Sequence, residues 1–188
     1  LLRLGKGYSM QIPFAGPTWD ACYSPDGKLL AAAGTGETSV GIWDASSGEL
    51  LHELQTPSGA TDLSFNPEGG QLAAACPDGS VFIWDPQTGI ELLRIATPES
   101  PDHVTEMASL AYDPTGKQLV TARRGNNQIS IWSTTNGELL TTFAAGNSDI
   151  HSVTLNHDST LLVAAVGSTV ELWNILTRYH IALRKPTS

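Results

Sequence analysis

Five histidines, His52, His103, His151, His157 and His180, are the side chains best suited to move a proton or hold a metal near neutral pH. They are scattered, with no His-x3-His or Cys-x2-Cys pair among them. His151 and His157 flank one short apolar run closely enough to share an ion, but a structural metal needs about four ligands. They read instead as polar turn and surface residues. No Gly-x-Ser-x-Gly occurs, so a nucleophile elbow has no support. Gly5-Lys6-Gly7 lacks the remaining glycine and the helix of a phosphate cradle and reads as a loop. The carboxylates sit in turns: Asp26, Glu68 and Asp158 in one kind, Asp44 and Asp85 directly after a Trp. Their expected work is to bind nearby backbone amides. The reading assigns no catalytic residue, no metal ligand and no cofactor, and the chain is expected not to be an enzyme.

The residues that could meet a partner are different ones. Trp19 has no Trp counterpart in the repeats described below, and exposed Trp is enriched where proteins bind each other. Arg123-Arg124 is the one adjacent basic pair in the central region and is followed by Gly125-Asn126-Asn127. Glu37, Asp78, Asp102, His103 and Asn126 complete the candidate set, all in turns or in the acidic loop 99–106. Together they make a mixed-charge surface that could select a protein or peptide by complementarity. Ordinary solvated loops would contain the same residues.

The chain has 188 residues and a formal net charge of −9. At 40% hydrophobic and 15% charged residues, it is too apolar for a disordered chain. No apolar run approaches the roughly 20 residues of a membrane span. All 19 acidic residues lie between positions 18 and 174, against only Lys28, Arg94, Lys117, Arg123 and Arg124. A general nucleic-acid binder needs the opposite balance. Cys22 and Cys76 both sit in apolar runs and read as small buried hydrophobes. That usage fits a reducing compartment, and the expected location is cytoplasmic.

What positions these residues is a fourfold repeat. Val40-Gly41-Ile42-Trp43-Asp44, Val81-Phe82-Ile83-Trp84-Asp85, Ile129-Ser130-Ile131-Trp132-Ser133 and Val170-Glu171-Leu172-Trp173-Asn174 are in register. The Trp spacings are 41, 48 and 41, the longer one carrying the insertion that begins at Thr97. A turn precedes each Trp: Ser24-Pro25-Asp26-Gly27, Asn66-Pro67-Glu68-Gly69, Asp113-Pro114-Thr115-Gly116 and Asn156-His157-Asp158-Ser159. Gly48, Gly89 and Gly137 mark another turn five residues past Trp, where the fourth repeat has Arg178. Short apolar runs fill the intervals, so each repeat reads as four strands joined by tight turns. Such a sheet is apolar on both faces and must be covered by its neighbours. The equal phase of Trp43, Trp84, Trp132 and Trp173 assigns them to packing between sheets.

These residues resemble the WD40-repeat family. The resemblance rests on Trp43-Asp44, Trp84-Asp85, the degenerate Trp132-Ser133 and Trp173-Asn174, and Ser24-Pro25-Asp26-Gly27, and it covers about residues 18–184. It implies an all-β fold, a β-propeller of four-stranded blades. The boundaries would be a preceding outer-strand tail and linker at 1–17, then blades at 18–56, 57–96, 97–144 (with the inserted loop 97–106) and 145–188. The family's Gly-His is missing from all four repeats, Gly146-Asn147 standing nearest its place, and its hairpin Asp survives as Asp78. The family's network of Asp, His, Ser/Thr and Trp should then be incomplete in every blade.

Family members close with about seven blades and propellers in general with 4–8. Four blades are therefore expected to be an arc of a larger ring or half of a two-chain ring. The implied function is a non-catalytic scaffold that presents rim loops to a protein or peptide, within a larger regulatory protein or assembly. The alternatives are a propeller hydrolase or lyase with a central-channel site, and an arc that only completes a ring. Thr18, Ala60, Met107 and Ile150, near the starts of the inner strands, are not catalytic types. Neither nucleic acid nor membrane is an expected partner; a second copy, or more of a longer chain, is.

Overall fold

The computed structural model describes residues 17–34, 39–96, 107–125 and 127–184. Those residues form sixteen strands and no helix. The strands make four antiparallel sheets, each a simple meander. The first is β1 (Thr18–Tyr23), β2 (Leu29–Gly34), β3 (Ser39–Asp44) and β4 (Leu50–Gln55). The second is β5 (Asp62–Phe65), β6 (Leu72–Ala75), β7 (Ser80–Trp84) and β8 (Glu91–Ala96). The third is β9 (Met107–Tyr112), β10 (Gln118–Arg123), β11 (Gln128–Ser133) and β12 (Leu139–Ala144). The fourth is β13 (Ile150–Leu155), β14 (Leu161–Val166), β15 (Thr169–Asn174) and β16 (His180–Arg184).

The turns follow from side chains that satisfy the backbone locally. Before each second strand, Ser24, Asn66, Asp113 and Asn156 accept the amide five residues on, at 2.7–2.9 Å. The fourth residue of each turn is left-handed: Gly27, Gly69 and Gly116 at φ 68–76°, and Ser159 at 57°. After Trp, Asp44, Asp85 and Asn174 collect the amides two and three residues on. Bonds from Ser46 and Ser47 hold the Asp44 carboxyl down to about 2. Arg178 takes over the left-handed place of Gly48, Gly89 and Gly137, at φ 58°. A non-glycine residue there carries a steric cost, which a good local contact must offset.

The sheets stack in chain order through their inner strands, β1 on β5, β5 on β9 and β9 on β13. No comparable contact joins β13 to β1 among the described residues, so the stack is an open arc. Each seam has an apolar core. Trp84 lies with Val40, Ile42 and Leu54 of the first sheet, Trp132 with Val81 and Ile83 of the second, and Trp173 with Ile129 and Ile131 of the third. Trp43 is 6% exposed, and the other three indoles 3–5%. Burial of this kind is the main source of stability, at roughly 25 cal/mol per Å².

Candidate functional site

The register puts one end of every sheet to the same use. Thr18 pairs with Gly34, and Ser39 with Gln55. The start of the inner strand, the hairpin between the second and third strands and the exit of the outer strand therefore meet at one end. This hairpin end carries the candidate partner residues that the structure describes. Trp19 is 59% exposed there. Asp78 is exposed and caps its own hairpin, accepting the Ser80 amide at 2.9 Å and the Ser80 hydroxyl at 2.6 Å. Glu37, Asp102, His103 and Asn126 lie outside the described residues.

Arg123 departs from expectation. It is not on a solvated loop but closes β10, only 6% exposed, on the face turned toward the second sheet. Burial disfavours its charge and the nearby Asp78 carboxylate supports it. The structure thus brings two candidates, Asp78 and Arg123, together across a seam between sheets. The reason is register: Leu119, Thr121 and Arg123 alternate onto one face, so the arginine follows the core residues inward.

Arg124 follows the end of β10 and is half-buried, with no hydrogen-bond partner at Nε. Asn127, held at φ 51°, has none at Oδ1. Its carbonyl accepts the Ala145 amide at 2.9 Å, which ties this hairpin to the next connection. The residue after Asn127, Gln128, lines an open cavity of about 240 Å³ with Thr142, Phe143 and Ala144. A cation, an amide oxygen and an aromatic wall suit a short peptide segment.

Sequence reasoning missed three polar devices, the first of them in the seams. Asp20 Oδ2 accepts the Leu63 amide at 2.8 Å, and Asp62 Oδ2 accepts the Leu110 amide at 2.7 Å. Ser109 Oγ, in the same phase, is 3.5 Å from the Val153 amide. Burial pushes the Asp62 carboxyl up to about 6, and the Asp20 charge adds to the push. Burial and these two carboxylates also raise the Cys22 thiol to about 12. The equivalent placing of Asp20, Asp62, Ser109 and Ser152, three residues before the end of each inner strand, was the available signal.

The second device is in the third sheet, where Trp132 Nε1 donates to Thr121 Oγ1 at 2.9 Å. The matching positions hold Ala32, Ala74 and Ala164. The third is Glu171, 4% exposed, which accepts the Gly146 amide at 3.2 Å. His180 Nε2 approaches it at 3.1 Å while the imidazole stacks on Trp173 at 4.8 Å. Among the described residues no three His, Cys, Asp or Glu side chains gather as metal ligands.

Four-stranded meanders stacked through their inner strands, with a Trp sealing each seam, are blades of a β-propeller. A family model described as "WD domain, G-beta repeat" matches residues 13–44, 48–85 and 137–174, more than half of the chain. The chain belongs to the WD40 family. The match at 48–85 begins just before β4 and ends just after β7, so that repeat supplies the outer strand of one blade and three strands of the next. The Periodic tryptophan protein 2 homolog of Caenorhabditis elegans is 28% identical over 155 residues, covering 82% of this chain and 16% of that protein. The WD repeat-containing protein sll1491 of Synechocystis is 27% identical over 146 residues, covering 77% of this chain and 40% of its own. The RRP9 WD40 repeats superpose with a TM-score of 0.79 at 17% identity, covering 92% of this chain and 52% of theirs. The chain thus spans about half of that solved propeller and less than half of these two relatives.

Proposed function

We propose that this chain is a non-catalytic WD40 scaffold arc whose hairpin end binds a protein or peptide partner within a larger assembly. The observation that carries the reading is the third-blade hairpin, where Arg124 Nε and Asn127 Oδ1 lack hydrogen-bond partners and the next residue, Gln128, lines an open cavity. Buried polar groups without partners are costly; an acidic segment would satisfy both by accepting from Arg124 Nε with a carboxylate and donating a backbone N–H to Asn127 Oδ1. A rigid frame that presents loops is suited to recognition. Trp19 extends the surface at the hub side of the same end. The overall charge of −9 argues for a protein partner over nucleic acid. The free thiols of Cys22 and Cys76 support a reducing, cytoplasmic setting.

Titration of acidic and charge-scrambled peptides against the chain tests this. Acidic peptides should bind, and Arg124→Glu should weaken them at least tenfold. Equal binding by wild type and variant, or no binding of any acidic peptide, removes this site.

A further inference from the structure

We propose that the outer edge of β12 takes an extended acidic segment of the partner protein as a fifth strand of the third blade. This deepens the partner reading of the hairpin end and rests on it.

The Ala145 amide donates to the Asn127 carbonyl at 2.9 Å, so these two residues form a hydrogen-bonded pair. The register runs on without a break from Gln128 opposite Ala144 to Ile131 opposite Thr141. In an antiparallel ladder, hydrogen-bonded and non-hydrogen-bonded pairs alternate. Phe143 and Thr141 therefore bond inward to β11, while Thr142 and Ala144 turn their amides and carbonyls away from it. β12 is the outermost strand of its sheet, so these groups have no ladder partner among the described residues. The same two residues line the open cavity, with Gln128 and Phe143.

The residue types set this edge apart from the other outer strands. β4 carries Glu53, β8 carries Glu91 and Arg94, and β16 carries Arg184. β12 has neither a charge nor a proline along its whole length. Charges and prolines ordinarily blunt an edge strand, because a free row of amides and carbonyls invites another strand.

Charge selects the occupant. Arg178 Nη2 donates to Thr141 Oγ1 at 2.6 Å, and its guanidinium lies over the Phe143 ring at 5.7 Å. Arg124 lies in the hairpin that leads into β11, with Nε unpartnered. Neither arginine makes a salt bridge among the described residues. Two cations without carboxylates beside an uncharged strand fit an acidic partner. Glu138 precedes β12 at the opposite end, so the carboxylates of the segment belong at the hairpin end. A segment antiparallel to β12 meets that end with its first residues. Main-chain bonds then supply affinity, and the cavity takes a side chain.

Titration calorimetry with a blocked eight-residue peptide, two aspartates followed by alternating valine and threonine, tests this. Two further forms carry N-methyl groups on the odd or on the even residues, which removes the amide donors of one peptide edge at a time. One methylated form should lose at least about tenfold in affinity, and the other should stay within about threefold of the parent. Ala144→Pro deletes an amide that the fold does not use, and should weaken the parent peptide at least about fivefold with the melting temperature held. Acidic peptides that bind and respond to Arg124→Glu, with equal affinity for the two methylated forms, overturn the strand addition and leave the partner reading standing. No binding of any acidic peptide removes both. Light scattering that gives twice the mass of one chain, reversed by Ala144→Pro, assigns the edge to a second copy and also overturns the proposal.

Discussion

Asp62 accepts the Leu110 amide of the next blade at 2.7 Å, one blade on from the bond that Asp20 makes to the Leu63 amide. Inner-strand amides turned toward the hub have no ladder partner in their own sheet. The carboxylates supply one, so blade order is fixed by polar bonds as well as apolar burial. The arrangement sets two carboxylates close together, with a consequence for pH.

Asp62 has a folded-state pKa of about 6, raised from 3.8 mainly by burial. The folded chain therefore binds more protons than the unfolded chain between those values. The contribution of Asp62 to stability is full below that window, falls as pH rises through it and is level above it. Asp62→Asn keeps an acceptor for the Leu110 amide and offers a donor to Asp20. It should raise stability at pH 7 by about 1–3 kcal/mol and flatten the profile. Urea denaturation from pH 4 to 7 checks this; a variant less stable than wild type at pH 7 contradicts it.

Gly41 lies beneath the Trp43 indole, and a Cβ there would sit 2.1 Å from the ring. The ring must move for any side chain to fit. Gly41→Ala should destabilise by about 1–3 kcal/mol as an overpacked site and increase Trp43 exposure. Chemical denaturation with iodide quenching of Trp fluorescence reads both.

The two adjacent arginines should part company on mutation. Arg123→Glu sets a second carboxylate beside Asp78 in a site 6% exposed, and should cost about 3 kcal/mol or more. Arg124→Glu should change stability by under about 1 kcal/mol. Thermal melts of the two single variants compare them directly.

Thr121→Val removes the acceptor for the Trp132 indole at nearly constant shape. The buried N–H is left without a partner, which costs about 1–3 kcal/mol. Thr121→Ser restores the hydroxyl and should recover most of the loss. Equal stability of Val and Ser variants would show that the bond contributes nothing.

The fold was legible because its signals are local and repeated. Trp43, Trp84, Trp132 and Trp173 keep phase with turns whose first residue must cap and whose fourth must be left-handed, and both demands are visible in residue types. The substitution of Thr121 by alanine in the other blades also fits the expected loss of the family's Trp network. The site was harder to read. Arg123 and Arg124 differ by one residue, and Arg123 closes β10 inside a seam while Arg124 lies just past the strand; sequence marks the pair but not where β10 ends. Asp20 and Asp62 read as solvated carboxylates until the next blade supplies their amides. Glu171 and His180 come from neighbouring strands, so no spacing rule joins them.

Amide hydrogen exchange at Leu63 and Leu110 tests the stacked-blade account most directly. Neither amide has a ladder partner in its own sheet; Leu110 is protected by the preceding blade through Asp62, and Leu63 by Asp20 of the preceding blade together with a longer bond to its own neighbour Asp62. The account predicts exchange as slow as that of the central-strand amides of β6 and β10. Exchange of both at unfolded-chain rates, in a chain whose β6 and β10 amides stay protected, would contradict it.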